Sequence, residues 1–456
     1  MNLDRIHNVY FLGIGGIGMS AIARYFKTVG KNVGGYDKVS RPITDRLLNE
    51  DIAVNFKDNI ENIPQSFKNK ENTLVIITPA IPASNNQLNY FIQQGFTIKK
   101  RSEVLGLIAN SQNCVAIAGT HGKTTITTMV SYFMQQSRIG CNAFLGGVSK
   151  NFNTNLVVNT DSKIIVVEAD EFDRSFLHLY PQSAIISAID ADHLDIYKNK
   201  NAVNDAFKQF IQQIKPNGTL IINSKINLDI INRGDIDVYT YSINDDSDFK
   251  AKNIKIDNGL YKFDFVGKNM IIKDLKLGLP GRINVENAVV AIAMAYINGA
   301  HQDEIYNAVP KFKGIERRFD YQVNRKDFVY IDDYAHHPEE LKASITSVKE
   351  LFKDKKVTGI FQPHLYSRTR DFAQEFAQSL DLLDEIILLD IYPAREEPIP
   401  RVTSEIIFDK IKNPEKVLCT KNNVIEILKE RKPEVLITLG AGDIDELVQP
   451  IKKMFE

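Results

Sequence analysis

Within the 456-residue chain, Ala118-Gly119-Thr120-His121-Gly122-Lys123-Thr124-Thr125 follows the apolar stretch Val115–Ala118 and precedes a helical pattern. Backbone N–H groups of such a loop, together with the N-terminus of the helix behind it, cradle phosphate oxygens. Lys123 would neutralise the terminal phosphates, and the Thr124 hydroxyl would reach a Mg²⁺. The strict pattern G-x-x-x-x-G-K-[ST] fails, because the position five before Gly122 is Ile117 and the leading glycine is Gly119. The loop is therefore a shortened variant. A glycine turn with a surface lysine is the alternative, and the strand-loop-helix placement argues against it.

Other loops carry complementary groups. Val166-Val167-Glu168-Ala169-Asp170-Glu171 ends an apolar strand in carboxylates, where a nucleotide-bound Mg²⁺ needs hard oxygen ligands. Asp190-Ala191-Asp192-His193 follows the next apolar strand in the same way. Gly13-Ile14-Gly15-Gly16-Ile17-Gly18 matches G-x-G-x-x-G after a strand, with Asp37 near the end of the second strand. That fingerprint recognises a pyrophosphate on a helix N-terminus, so it fits NAD and a UDP-sugar alike. Tyr330-Ile331-Asp332-Asp333-Tyr334-Ala335-His336-His337-Pro338 and Phe361-Gln362-Pro363-His364-Leu365-Tyr366-Ser367-Arg368 end two successive strands. Each is either an ordinary strand-helix loop or one wall of a shared cleft for an anionic or amino-acid ligand. Leu439-Gly440-Ala441-Gly442-Asp443-Ile444 reads as another loop on that rim.

These loops need strands to end at one rim. Short β-rich apolar runs alternate with helical stretches throughout, which predicts α/β domains on largely parallel sheets. The first block has strands at Asn8–Ile14, Asn32–Tyr36 and Thr73–Thr78 and closes in a helix near Asn110. The second has strands at Cys114–Ala118, Lys163–Glu168 and Ala184–Ala188, a helix from Lys123 to about Gln136, and a polar meander from about Lys225 to Asp274. A helix over Asn284–Tyr296 follows Pro280-Gly281. The third block, from near Gly314, has strands at Phe328–Asp332, Val357–Phe361, Glu385–Leu389 and Val435–Leu439.

Composition narrows the class. With 56 Lys plus Arg against 57 Asp plus Glu, the net charge of -1 shows no basic excess for coating nucleic acid. No apolar run approaches the roughly 20 residues that span a bilayer, and the N-terminus does not read as a secretory signal. Cys114, Cys141 and Cys419 are odd in number and widely spaced, so the expectation is a reduced, cytoplasmic enzyme without a disulfide framework.

The order of the motifs resembles the Mur ligase family over essentially the whole length. Its carriers are Gly13–Ser20, Gly119–Thr125, Glu168–Phe176, Asp190–Tyr197, Gly281–Ala288, Gly314–Phe319, Asp332–Pro338, Gln362–Thr369 and Leu439–Ile444. The opening GIGGIGMSAIA and the DDYAHHP stretch look like its alanine-adding branch. The resemblance implies three domains: Rossmann-like over residues 1–110, a central P-loop ATPase-like domain over 111–314, and a Rossmann-like C-terminal domain over 315–456. It implies that Gly15, Gly16, Ile17, Gly18 and Ser20, with Asp37, hold the UDP moiety of UDP-N-acetylmuramate.

By the same resemblance, Lys123 and Thr124 serve the phosphates and metal, and Glu168 and His193 ligate Mg²⁺. Asn287 would contact adenine, Arg318 the phosphates and Asp333 the ribose, while Tyr334, His336 and Arg368 would hold L-alanine. The implied reaction uses ATP to join that amino acid to the lactyl carboxylate, in a monomer or homodimer without nucleic-acid or membrane partners. One departure stands out: many relatives carry a second arginine where this chain has Leu365, which shifts the carboxylate onto Arg368, Arg370 or Arg395. Lys208 has the loose spacing of the carbamylated lysine of sister ligases and is not assigned that role. Rival readings are a murein-tripeptide recycling ligase, folylpolyglutamate synthase, an NAD-dependent oxidoreductase and a non-catalytic nucleotide switch. The second nucleotide loop and its acidic partners weigh against the oxidoreductase, and a switch would not need two extra cleft-forming domains.

Overall fold

The structure, a computed structural model, describes residues 3–190, 197, 200–227, 229, 231, 233–257, 259–394 and 396–456. Three sheets carry the fold, as the alternating pattern predicts. The first is five-stranded and parallel, of order β3-β2-β1-β4-β5, with β1 (Asn8–Leu12), β2 (Asn32–Tyr36), β3 (Ala53–Asn55), β4 (Thr73–Ile77) and β5 (Thr97–Lys100). All five β1 residues are buried, as expected for a parallel strand covered on both faces. The chain turns out of β1 through Gly13, at φ 87°, into the helix Ile17–Thr28. Strand order reverses at β1, where β2 lies on one side and β4 on the other, which opens a crevice at the strand ends.

The second sheet has ten strands: β6 (Asn113–Ala118), β7 (Asn142–Ser149), β8 (Thr154–Val157), β9 (Ile164–Glu168), β10 (Ser183–Ile186), β11 (Thr219–Asn223), β12 (Asp237–Ser242), β13 (Phe249–Asp257), β14 (Leu260–Gly267) and β15 (Met270–Lys276). Their order is β15-β14-β13-β12-β11-β10-β6-β9-β7-β8. Central β6 is flanked in parallel by β9, pairing Ile117 with Glu168, and by β10, pairing Ala118 with Ile186. Three chemistry-bearing loops therefore leave the same end of three adjacent strands. The β7–β8 antiparallel hairpin at the other edge was not foreseen.

The third sheet is β16 (Asp320–Asn324), β17 (Val329–Asp333), β18 (Val357–Phe361), β19 (Glu385–Leu389), β20 (Lys416–Cys419) and β21 (Val435–Leu439), in order β16-β17-β21-β18-β19-β20. Only β16 runs antiparallel. β21 lies between β17 and β18, pairing Leu439 with both Asp333 and Phe361, so the loops after these strands share one rim.

The chain divides into two compact units, residues 1–252, 264–273 and 287–312 in one, residues 253–263, 274–286 and 313–456 in the other. Within the first, one continuous apolar core runs from Val9, Phe11 and Phe26 of the first sheet and its helix to Ala116, Phe144 and Val167 of the second. Within the second, β17, β18 and β21 are covered on one side by Leu341, Ile345 and Phe376 and on the other by Val424, Leu428 and Ile451. The three cysteines are free, and among the described residues no helix is long and apolar enough to cross a membrane.

Candidate active site

The loop between β6 and the helix Lys123–Gln135 is built on two left-handed glycines, Gly119 at φ 127° and Gly122 at φ 79°. A Cβ at Gly119 would collide with Ser187 and Ala188, so only glycine fits there. Asp190, beyond β10, braces the loop: its carboxylate accepts from Thr120 Oγ1 at 3.3 Å and lies 3.3 Å from His121 Nε2. Thr124 and Thr125, in the first helical turn, are buried. Lys123 Nζ donates to the Gly119 carbonyl at 2.8 Å and to Glu171 at 2.9 Å. Burial opposes its charge, but the carboxylates of Glu171, Asp170 and Glu168 overcome that and hold the ammonium above its ordinary range.

Thr124 Oγ1 donates to Glu168 Oε2 at 2.9 Å. A side chain at Gly146 would run into both atoms, so that glycine keeps a space beside two hard oxygen donors. This donor set fits a small divalent cation such as Mg²⁺. Asn287 also belongs here, its Oδ1 3.0 Å from where a Gly122 Cβ would stand. The sequence expectation for His193 lies outside the described residues.

At the other glycine loop, the Asp37 carboxylate accepts from the Gly15 N–H at 2.7 Å. That bond holds the turn of the loop. Ile17 is exposed, whereas Ser20 is fully buried with its hydroxyl donating to the Ile17 carbonyl at 2.9 Å. Arg101, at the start of the helix after β5, lies across Gly18, where a Cβ would stand 2.9 Å from its Nη1, and reaches Asp170 at 3.6 Å. No local motif marks Arg101; only the fold brings it to the glycine loop and the acidic run.

The second unit gathers a separate cluster. The Arg318 guanidinium stacks 4.8 Å from the Tyr334 ring centroid, and Arg317 lies 5.2 Å from the same ring. Arg317 also donates to the Gly440 carbonyl at 2.8 Å and pairs with Asp332 and Asp445, both at 3.3 Å, so it ties the β17 and β21 loops together. Asp333 is buried, accepts from Ser344 Oγ and from the Ala335 N–H, and burial pushes its carboxyl up to about 6. His336 Nδ1 lies 3.0 Å from the Tyr334 carbonyl and 3.3 Å from Glu340. Burial, with Arg368 and Arg318 nearby, pulls its imidazole down to about 4 although Glu340 opposes this. At neutral pH the ring is therefore uncharged, and donation from Nδ1 to the carbonyl leaves the Nε2 lone pair available.

His336 meets His364 at 5.8 Å between centroids, and His364 stacks on Tyr392 at 5.8 Å. Leu365 adopts φ 71° at the head of the helix Tyr366–Asp371, and that turn buries Arg368. A non-glycine residue there is strained, a feature that recurs at functional loops. Arg370 is half-exposed and paired with Asp371 at 2.7 Å, and Arg395 lies outside the described residues. Gln362 fixes the next loop, donating to Asp443 at 2.7 Å and accepting from the Ile444 N–H at 2.9 Å. The roles of Arg317, Gln362 and Tyr392 were missed because each acts through a loop distant in sequence.

Comparison with known proteins identifies the family. Three family models match in order: "Mur ligase family, catalytic domain" over residues 8–113, "Mur ligase middle domain" over 117–295 and "Mur ligase, glutamate ligase domain" over 317–442. The UDP-N-acetylmuramate–L-alanine ligase of Parabacteroides distasonis is 49% identical over 454 residues, covering 100% of this chain and 98% of the relative. That of Flavobacterium psychrophilum is 50% identical over 453 residues, covering 99% of each. The crystal structure of the UDP-N-acetylmuramate–alanine ligase of Thermotoga maritima superimposes with a TM-score of 0.82 at 25% identity, covering 98% of this chain and 99% of that one. With all three domains matched in order and relatives near half identical along its whole length, the chain belongs to the Mur ligase family.

Proposed function

We propose that this chain joins L-alanine to the lactyl carboxylate of UDP-N-acetylmuramate, at the expense of ATP, and releases ADP and phosphate. The observation that carries this reading is identity of about half, end to end, with ligases bearing that name. We assign residues 1–110 to UDP binding, 111–314 to ATP and Mg²⁺, and 315–456 to the amino acid, and we place the enzyme in the cytoplasm.

A carboxylate is a poor electrophile, so it must first be activated. The lactyl carboxylate oxygen forms a bond to the γ-phosphorus while the bond to ADP breaks. The amine of L-alanine then attacks the acyl carbon, and phosphate leaves with one former carboxylate oxygen. Both steps bring anions together, and Lys123 supplies a fixed cation where charge accumulates. Lys123 now rests on Glu171, so phosphate oxygens take over from that carboxylate on binding. By resemblance to the family, we assign Arg318, which stacks on Tyr334, to the phosphates, Asn287 to adenine and Asp333 to the ribose. Thr124 and Glu168, with His193, would hold Mg²⁺, which when bound offsets the charge of the transferring phosphoryl group.

Arg368 would grip the alanine carboxylate with a planar fork, beside Tyr334 and His336. A neutral His336 suits a site where the attacking amine must shed a proton. The test is phosphate release by purified protein given ATP alone, with each substrate singly, and with both. Release only when both are present supports the reading; release stimulated by a muramyl tripeptide instead of L-alanine would move it to the recycling ligase.

A further inference from the structure

One buried polar chain lies outside the two nucleotide loops and touches the first of them. Asn155 sits on β8, the edge strand of the second sheet, and is fully buried. Its Nδ2 donates to the Ile17 carbonyl at 2.6 Å and to Ser20 Oγ at 3.0 Å. Its Oδ1 accepts from Arg24 Nη1, and Arg24 Nε donates to Glu50 at 2.6 Å. Ile17, Ser20 and Arg24 all belong to the helix behind the glycine loop, whereas Asn155 reaches them from the other sheet.

Adhesion between the two sheets does not need these bonds. The helix already packs by apolar contact, with Tyr25 against Phe144 at 5.6 Å and a continuous core beneath. What the asparagine adds is direction. The Ile17 carbonyl and the Gly18 N–H share one planar trans peptide, in which the two bonds point opposite ways. Gripping the carbonyl from behind therefore aims the Gly18 N–H out of the helix N-terminus. As a first-turn amide, that N–H has no acceptor within its own helix. Arg24, neutralised by Glu50, holds the other end of the asparagine amide and so fixes which way it faces.

We propose that Asn155 is a positioning residue for the diphosphate of the UDP substrate, supplied by the ATP-binding domain to orient the first turn behind the N-terminal glycine loop. This rests on assigning that loop to the UDP moiety. The experiment is calorimetric titration of the full chain with UDP and, separately, with ATP, for wild type, Asn155→Asp, Asn155→Ala and Glu50→Gln, alongside melting curves. Asn155→Asp keeps the size and the Arg24 contact but turns an acceptor toward the Ile17 carbonyl.

The expected result is a rise of at least about fivefold in the Kd for UDP in both Asn155 variants, with the Kd for ATP within about twofold. Glu50→Gln changes a side chain that is 43% exposed, so it folds even where an Asn155 variant does not. It should weaken UDP by about twofold. In turnover, KM for the UDP substrate should rise while kcat at saturation stays within about twofold. Unchanged UDP affinity in the folded variants, or equal loss for UDP and ATP, would overturn the proposal. A wild-type protein that binds ATP but not UDP would instead overturn the assignment of the loop.

Discussion

Replacing Asp333 by asparagine should make the protein more stable at alkaline pH while weakening ATP binding. The carboxyl is fully enclosed; burial raises it from 3.8 to about 6, and the Ser344 hydroxyl and the Arg318 charge only partly offset this. A carboxyl that binds its proton more tightly when folded disfavours folding once it ionises. Stability from this group is therefore fully present below about pH 4 and is lost as pH rises through 6. At 1.36 kcal/mol per pH unit, the loss totals about 3 kcal/mol, of which about 1.4 kcal/mol falls between pH 5 and pH 8. Asparagine keeps Oδ1 as the acceptor for the Ala335 N–H, offers its Nδ2 as a donor to the Ser344 hydroxyl oxygen, and does not ionise. Urea unfolding of both proteins at pH 5 and pH 8 isolates the effect, because groups common to both cancel. The advantage of Asp333→Asn should grow by about 1.4 kcal/mol between those pH values, and its KM for ATP should rise. A difference that stays constant, or that favours the wild type more at pH 8, would refute the burial argument.

Other substitutions separate the remaining roles. Lys123→Ala should lower kcat at saturating ATP by at least about a hundredfold; it also strips Glu171 of its cation, so Lys123→Ala with Glu171→Gln should recover melting temperature without recovering turnover. Glu168→Gln, and likewise His193→Ala, should raise the Mg²⁺ concentration needed for half-maximal rate, as followed by metal titration of phosphate release. Arg368→Lys should raise the KM for L-alanine by about tenfold, equivalent to about 1.4 kcal/mol, with the KM values for ATP and the UDP-sugar nearly unmoved; Leu365→Arg in that background should restore part of the loss.

What sequence alone could read was whatever is local. Parallel strands covered on both faces appear as continuous apolar runs, so β1, β6, β17, β18 and β21 were found to within a residue or two. A phosphate loop needs glycines, a lysine and a threonine in succession, which made Gly119–Thr125 visible. The short strands β3, β5 and β20 and the β7–β8 hairpin carry little apolar periodicity and take their place from pairing with neighbours. Groups that act across loops were invisible for the same reason: Arg101 meets Gly18, and Asn155 meets Ile17, only once the sheets are assembled. Asp37 was legible as the acid that follows the second strand, but its contact with the Gly15 N–H depends on loop geometry that spacing does not encode.

The central claim is that the lactyl carboxylate is phosphorylated before the amine attacks. UDP-N-acetylmuramate labelled with ¹⁸O at both lactyl carboxylate oxygens, incubated with enzyme, ATP and L-alanine, tests it directly by mass spectrometry of the phosphate released. The mechanism sends one carboxylate oxygen out with the phosphate, so each phosphate should carry one ¹⁸O and the amide product should retain the other. Unlabelled phosphate accompanying amide formation would contradict the account.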